Sequence, residues 1–431
     1  MRQGFCWLKK MLYEVDMTNQ YKVKLWIFSL SISLMGLLSV FVDEGFSIAP
    51  ILITLVSLSI FFEGYKGSVS KDDKILILAL LIYFLIGVFE SVVHGQHHRN
   101  LDLFSRYFFG AWLVFYLSRY SFNSAFLWLG YAAAGIVVGL YALYGKVYLG
   151  FDRVKTETLN PMYFGNFSMM IGVFCFAGIV WAKKQIKPPF FVALMIMAGC
   201  MGVVASFLSG TRGGWVGIPL ILIMFYMYFS DHISRRYLLS FIALVVFALT
   251  ALISLPNTGV MARIDTAVSD IKQYSLGNSA TSVGLRFEMW RLGMYSFYEN
   301  PIIGPGEEQF NAKRMAMAKE RGINEVAATF THLHNQYVEE LAKRGLLGFI
   351  GLLFLFLVPL RLFLKRVNSA SGEVKALAVA GALCVTCVME FCLTESMLRL
   401  TSGAMFFIFN LVFIWSVMRS QERLVSQNSE C

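Results

Sequence analysis

Leu346–Leu364 reads LLGFIGLLFLFLVPLRLFL, nineteen residues with a single charge, Arg361, close to its end. As a helix it is about 28 Å long, matched to the ~30 Å hydrocarbon core of a bilayer. Comparable runs recur along the chain. They are Leu25–Val42, Phe46–Phe62, Ile75–Val93, Leu103–Leu117, Phe122–Tyr148, Met162–Trp181, Phe190–Leu208, Trp215–Phe229, Tyr237–Leu255, Ala376–Leu393 and Ser402–Met418. Leu103–Leu117 is the weakest, because Arg106 sits inside it. With 57% hydrophobic and only 15% charged residues, and a mean hydropathy of +0.63, the chain is unlike a soluble protein, where about a quarter of residues are charged. The pattern predicts an all-α polytopic membrane protein with about twelve transmembrane helices. The first run lacks a small-residue cleavage site and reads as a retained signal anchor.

An even number of spans puts both tails on one side of the membrane. Twenty of the 37 Lys and Arg fall on that side and seven on the short connections opposite; the other ten lie in one long loop, Pro256–Gly345. Long loops are exempt from the positive-inside rule, so the split predicts cytoplasmic termini and an external loop. It also accounts for much of the net charge of +10 without nucleic acid. Three parts follow: residues 1–255, a transmembrane bundle of about nine spans; residues 256–345, a loop domain; and residues 346–431, about three spans and a tail. The seven cysteines include Cys384-x-x-Cys387, whose place in an apolar run with no second pair suits a buried core better than a metal or redox site.

The long loop carries helical signals. Gly284–Tyr298 sets Phe287, Trp290, Met294 and Phe297 at helical spacing, a stripe able to lay the helix on the membrane surface. Asn300-Pro301 breaks it, Gly304-Pro305-Gly306 turns the chain, and Glu307–Arg321 reads as a second helix. Asn335–Arg344 reads as a third, with Asn335 as N-cap, Glu339/Lys343 and Glu340/Arg344 as i,i+4 pairs and Gly345 as its stop.

Candidate chemistry gathers on the loop side. Ser209-Gly210-Thr211-Arg212-Gly213-Gly214-Trp215 joins two spans there. Its glycines allow close approach of a phosphate and its Arg offers a planar fork to phosphate oxygens; a tight turn with Arg212 reaching the headgroups fits equally well. Arg286 starts the aromatic helix. His334 sits at the mouth of the third helix, two residues after His332, with no carboxylate or third His at familiar ligand spacing. His94, His97 and His98, with Glu90 one turn before, read as a polar cap at a span end more readily than as a metal site. Glu90, Arg106, Glu390, Glu395 and Arg399 lie in or near spans, where a charge costs about 2.5–3.5 kcal/mol at a helix centre, so each should be paired or functional. No phosphate-binding G-x-x-x-x-G-K-[ST] loop and no soluble nucleotide-binding domain occur. A donor used here must therefore arrive already activated, and a lipid diphosphate suits a site at the membrane edge.

Taken together, Ser209–Trp215, Gly284-Leu285-Arg286 with Trp290, Asn300–Gly306 with Phe310, and His332-Leu333-His334-Asn335-Gln336-Tyr337 ending in Gly345-Leu346-Leu347-Gly348 resemble the O-antigen ligase family of the Gram-negative ligase/polymerase superfamily. The resemblance implies a GT-C-like membrane fold in the bacterial inner membrane, with a large periplasmic loop. It implies a glycosyltransferase that moves O-antigen from undecaprenyl diphosphate to a sugar of the lipid A-core, inverting, with no metal or cofactor. Residue by residue, it implies Arg212, Arg286 and His334 as the essential groups. Thr211, Asn335 and Arg399 are candidates to contact the substrate. A polymerase using the same donor, or a lipid-linked glycan exporter, remains an alternative; an exporter should show paired broken helices or repeats, and neither is evident.

Overall fold

In the computed structural model, residues 19–63, 69–95, 98–215, 217–229 and 260–429 are described, with scattered positions between 234 and 250. Every regular element among them is helical. The helices of the membrane part are α1 (Asn19–Phe41), α2 (Gly45–Ser57), α3 (Lys71–Val93), α4 (His98–Leu117), α5 (Ala125–Val147), α6 (Pro161–Ala177), α7 (Pro188–Leu208) and α8 (Ile218–Phe229). Then come α9 (Val260–Ser275), α10 (Ser282–Glu299) and α11 (Glu307–Glu320) in the long loop. The chain finishes with α12 (Gln336–Leu364), α13 (Gly372–Phe391) and α14 (Thr401–Ser429).

Helix starts follow the local chemistry. Ser70 and Asp73 form a reciprocal capping box on α3. Asn160 caps α6 just ahead of Pro161, whose missing N–H costs nothing at that position. Thr281 caps α10, and Asn335 caps α12 by accepting from the backbone N–H of Tyr337 and Val338.

Eleven of the twelve expected spans contain a helix; the twelfth, Tyr237–Leu255, is described only at scattered positions. Among the described residues, eight helices are long and apolar enough to cross a membrane. Two expected spans come out shorter. Phe46–Phe62 becomes α2, 13 residues with Pro50 inside, and Trp215–Phe229 becomes α8, 12 residues. At 1.5 Å per residue both fall short of the hydrocarbon thickness. For the second the reason is local: Arg212–Trp215 winds into a 3-10 turn before α8 starts.

The bundle has an inside and an outside. Helix α6 with its continuation to Ala182 is 94% buried, and α13 and α14 are each 89% buried, whereas α1, α3 and α7 bury well under half. Phe167 stacks on Phe406 at 3.9 Å and the Tyr131 hydroxyl donates to Asn410 Oδ1 at 2.8 Å, which ties α5 and α6 to α14. At the end away from the long loop, Asp72, Asp73, Arg366, Arg419 and Glu422 form one ionic cluster, with Asp72 to Arg366 at 2.7 Å. At the loop end Arg344 pairs with Glu90 and Glu340, and Tyr83 donates to Glu340 at 2.8 Å. Glu90 is thus occupied by an arginine; His97 of the nearby cluster lies outside the described residues. Arg106 bonds Asp102 and Thr401. Cys384 and Cys387 are free and buried, as core residues; Cys6 and Cys431 lie outside the described residues.

The long loop packs a small hydrophobic cluster of its own, built on Met289, Leu292, Phe310, Ile323 and Leu333. Helix α9 was not foreseen in the sequence. Both i,i+4 pairs of the third loop helix form. That helix and the following span are continuous in α12 except at Gly345, where φ is 58° and ψ −154°, a region open only to glycine. The freed N–H groups of Leu346 and Leu347 donate to the carbonyls of Pro301 (2.8 Å) and Ile302 (3.0 Å), so the loop caps the span. A Cβ on Gly345 would meet Ile302 and Pro301 backbone at 2.7 Å. Gly345→Ala is therefore expected to cost about 1–3 kcal/mol, read as a lower thermal midpoint in detergent; an unchanged midpoint would show that the joint is not strained.

Candidate functional site

The site is assembled around the start of α12. Asn335 is buried; besides capping the helix, its Nδ2 donates to the Leu393 carbonyl at 3.2 Å. The Gln336 N–H donates to the Cys392 carbonyl at 2.9 Å, and the Leu398 N–H to Gln336 Oε1 at 3.0 Å. These bonds clamp the 331–336 segment to the 392–399 connection between α13 and α14. Glu339, buried one turn into α12, accepts from Lys343, from the Leu333 N–H at 2.8 Å and from Ser396 Oγ at 2.6 Å. Both loops are held by one carboxylate.

His334 lies between them with φ at +50°, a left-handed conformation uncommon for a residue with a side chain. It is held there by the clamp on either side. Its Nδ1 is 2.9 Å from Glu395 Oε2. A carboxylate only accepts, so Nδ1 carries the hydrogen, and in the neutral ring Nε2 has the free lone pair. The other oxygen, Glu395 Oε1, accepts from the Ser396 N–H at 3.2 Å. The His332 ring packs against His334 at 4.2 Å between centroids. Burial and the neighbouring imidazole hold the His332 pKa below its usual range, so His332 is neutral at neutral pH.

Arg286 approaches from α10. It is partly buried, which lowers its pKa, and the Glu395 carboxylate opposes that shift. Glu395 thus serves His334 by a hydrogen bond and Arg286 through space. Helix α10 is anchored to the same loop, since the Trp290 indole N–H donates to the Leu333 carbonyl at 3.0 Å and Ser296 Oγ to the Ala342 carbonyl at 2.8 Å.

The third segment, Ser209–Trp215, packs beside the Glu395 loop. A Cβ on Gly213 would collide with Thr394, and one on Gly214 would come within 3.1 Å of Asn166. That contact is possible only because both positions are glycine. Arg212 opens the turn; its side chain lies outside the described residues. Thr211 is buried, with its hydroxyl donating to the Pro161 carbonyl at 2.7 Å and accepting from Ser209. Arg399 donates to Thr331 Oγ1 at 3.0 Å and lies 3.8 Å from Glu307. Thr211 thus ties its turn to the start of α6, Asn335 and Arg399 tie the 331–336 segment to the 392–399 connection, and the buried Arg399 Nε has no hydrogen-bond partner among the described residues.

The two arginine segments and the histidine therefore meet at one edge of the bundle, on the side of the long loop. The group missed in the sequence as a partner is Glu395. It was marked there only as a charge needing a partner, and its distance of 61 positions from His334 hid the pairing. Glu390, marked for the same reason, has no side-chain partner among the described residues and sits against Gly217. His332, His334 and Glu395 place their ligand atoms within 4.8 Å of one another, a set that would also accept a divalent cation. Arg286, on whose charge Glu395 acts, would compete with such a cation for the carboxylate.

An all-helical, multi-pass membrane protein with imidazole, carboxylate and guanidinium at one membrane edge is the class that the fold and the site define. Residues 196–353 match the model of the family described as O-antigen ligase. The chain is similar to the O-antigen ligase of Escherichia coli, 25% identical over 73% of this chain and 77% of that protein. It is also similar to a Haemophilus influenzae protein carrying no assigned activity, 29% identical over 88% of this chain and 95% of that protein. Over residues 196–353 the chain is similar to the O-antigen ligase family. The matched segment contains Arg212, Arg286 and His334 and ends before Glu395.

Proposed function

We propose that the protein is an inverting glycosyltransferase that moves O-antigen from undecaprenyl diphosphate to a sugar hydroxyl of the lipid A-core, at the periplasmic face of the inner membrane. The observation that carries this reading is the His334–Glu395 hydrogen bond beside Arg286. The acceptor hydroxyl oxygen attacks the anomeric carbon and its proton passes to His334 Nε2. The bond from that carbon to the phosphate oxygen breaks, and the diphosphate leaves with the electron pair. Attack and departure on opposite faces give inversion. Glu395 orients the imidazole and stabilises the imidazolium as it forms. Arg286 and Arg212 meet the growing charge of the leaving group, because guanidinium forks match phosphate oxygens and stay charged. Asn335 and Arg399 hold the 331–336 and 392–399 segments in register, and Thr211 fixes its turn on α6.

Glu395→Gln keeps the shape of the side chain and removes its charge. Transfer by the purified variant, from lipid-linked donor to lipid A-core, is expected to fall about 10–100-fold, as when a partner that orients a histidine is lost. Full turnover would sink the assigned role. A strain lacking the protein separates the ligase from a polymerase. Polymer-free core with long chains accumulating on the lipid carrier supports the ligase; core bearing a single repeat unit would mean a polymerase instead.

A further inference from the structure

We propose that the outward face of α10 is the track along which the hydrocarbon chain of a polyprenyl diphosphate leaves the site. This rests on the reading that Arg286 meets the diphosphate. Helix α10 buries Met289, Leu292 and Ser296 against the loop cluster and α12. Its opposite face is an open groove of about 410 Å³ lined by Tyr274 from α9 and by Phe287, Trp290, Arg291, Met294, Tyr295 and Tyr298. The polar groups of Tyr274 and Arg291 are spent on Glu288, each at 2.8 Å, so the lining offers hydrocarbon and aromatic surface more than free hydrogen-bonding partners. That favours an apolar chain over a sugar. Tyr298 is 69% exposed; an apolar groove left open to water marks a binding surface.

The two ends of the groove identify what fills it. Arg286, Trp290, Met294 and Tyr298 follow one another at four-residue steps, a stripe about 18 Å long. At its head stands the guanidinium, and Trp290 bonds the residue next to His334. At its foot the chain runs from Tyr298 into Pro301 and Ile302, whose carbonyls cap Leu346 and Leu347. Ile302 is 70% exposed, and Leu346, Ile350 and Phe354 continue exposed down the span. A ligand with a diphosphate at Arg286 and a long chain would be carried from the catalytic groups to the bilayer without its hydrocarbon crossing water.

The test uses the full-length protein in lipid nanodiscs and two competitors of transfer, inorganic diphosphate and farnesyl diphosphate. In the wild type, farnesyl diphosphate is expected to inhibit about 100-fold more tightly than inorganic diphosphate, the worth of three or four buried methylenes. The double variant Met294→Ser/Tyr298→Ser, at groove-lining positions outside the catalytic groups, is expected to bring that ratio down to about tenfold and to leave inhibition by inorganic diphosphate unchanged. If inorganic diphosphate competes and the ratio stays at its wild-type value, the track is wrong while the reading of Arg286 stands. If inorganic diphosphate fails to compete, the reading of Arg286 fails and the track falls with it. A ratio that holds while the variant detaches α10 from the bilayer, seen as lost quenching by brominated lipid, assigns this face to bulk lipid and also overturns the proposal.

Discussion

His334→Asn is expected to reduce glycosyl transfer about 10²–10⁴-fold, the usual worth of a general base. Asparagine is the informative replacement. It tolerates left-handed backbone better than most residues, so the φ of +50° at this position is kept and the loss reports the imidazole alone. Alanine would remove the base and also strain a segment that carries Asn335 and Gln336 into their clamps. Binding of the lipid-linked donor should persist in the Asn variant, since Arg286 is untouched. The assay is turnover of both variants with saturating donor, alongside a thermal midpoint. A variant with the wild-type midpoint and wild-type turnover would remove His334 from the chemistry.

Arg286→Ala is expected to lower turnover about 10²–10³-fold, the scale seen when one preorganised group facing a developing negative charge is deleted. Arg286→Lys separates shape from charge. Lysine supplies a point charge without the planar fork, so it should recover only a small part of the loss. Recovery to the wild-type rate would reduce the site to simple charge. Deleting Arg286 also removes a cation whose charge acts on Glu395, and the same experiment on Glu395→Gln/Arg286→Ala should cost less than the two single losses combined. Strict additivity would mean that the carboxylate and the guanidinium act independently.

The membrane fold was legible because it is a local property: a run of nineteen apolar residues declares a span whatever surrounds it. Helix ends were legible for the same reason, as at Asn335, where cap, ion pairs and glycine stop all fall within ten residues. The failures came where structure overrides the run. Phe46–Phe62 carries no charge but is interrupted after Ser57, and Trp215–Phe229 gives Trp215 to a 3-10 turn packed on α6 and α13. Within the site, Arg286 and His334 stood out by residue type and place. Glu395 did not, because a hydrogen bond across 61 positions leaves no mark on local spacing. The polar duties of Thr211 and Arg399 were hidden likewise, since Pro161 and Thr331 lie 50 and 68 positions away.

The break at Gly345 has a mechanical side. One half of α12 follows the Asn335 cap and bears Glu339 and Lys343; the other half is the apolar span, and the two are joined by a residue outside the helical region and by carbonyls borrowed from Pro301 and Ile302. A span answers a thicker or thinner bilayer by tilting. Were the helix a single rod, that tilt would swing the imidazole away from its partners. With a pivot at the interface, the tilt is taken up below the joint, and the alignment of His334 with Glu395 is insulated from the lipid composition around it.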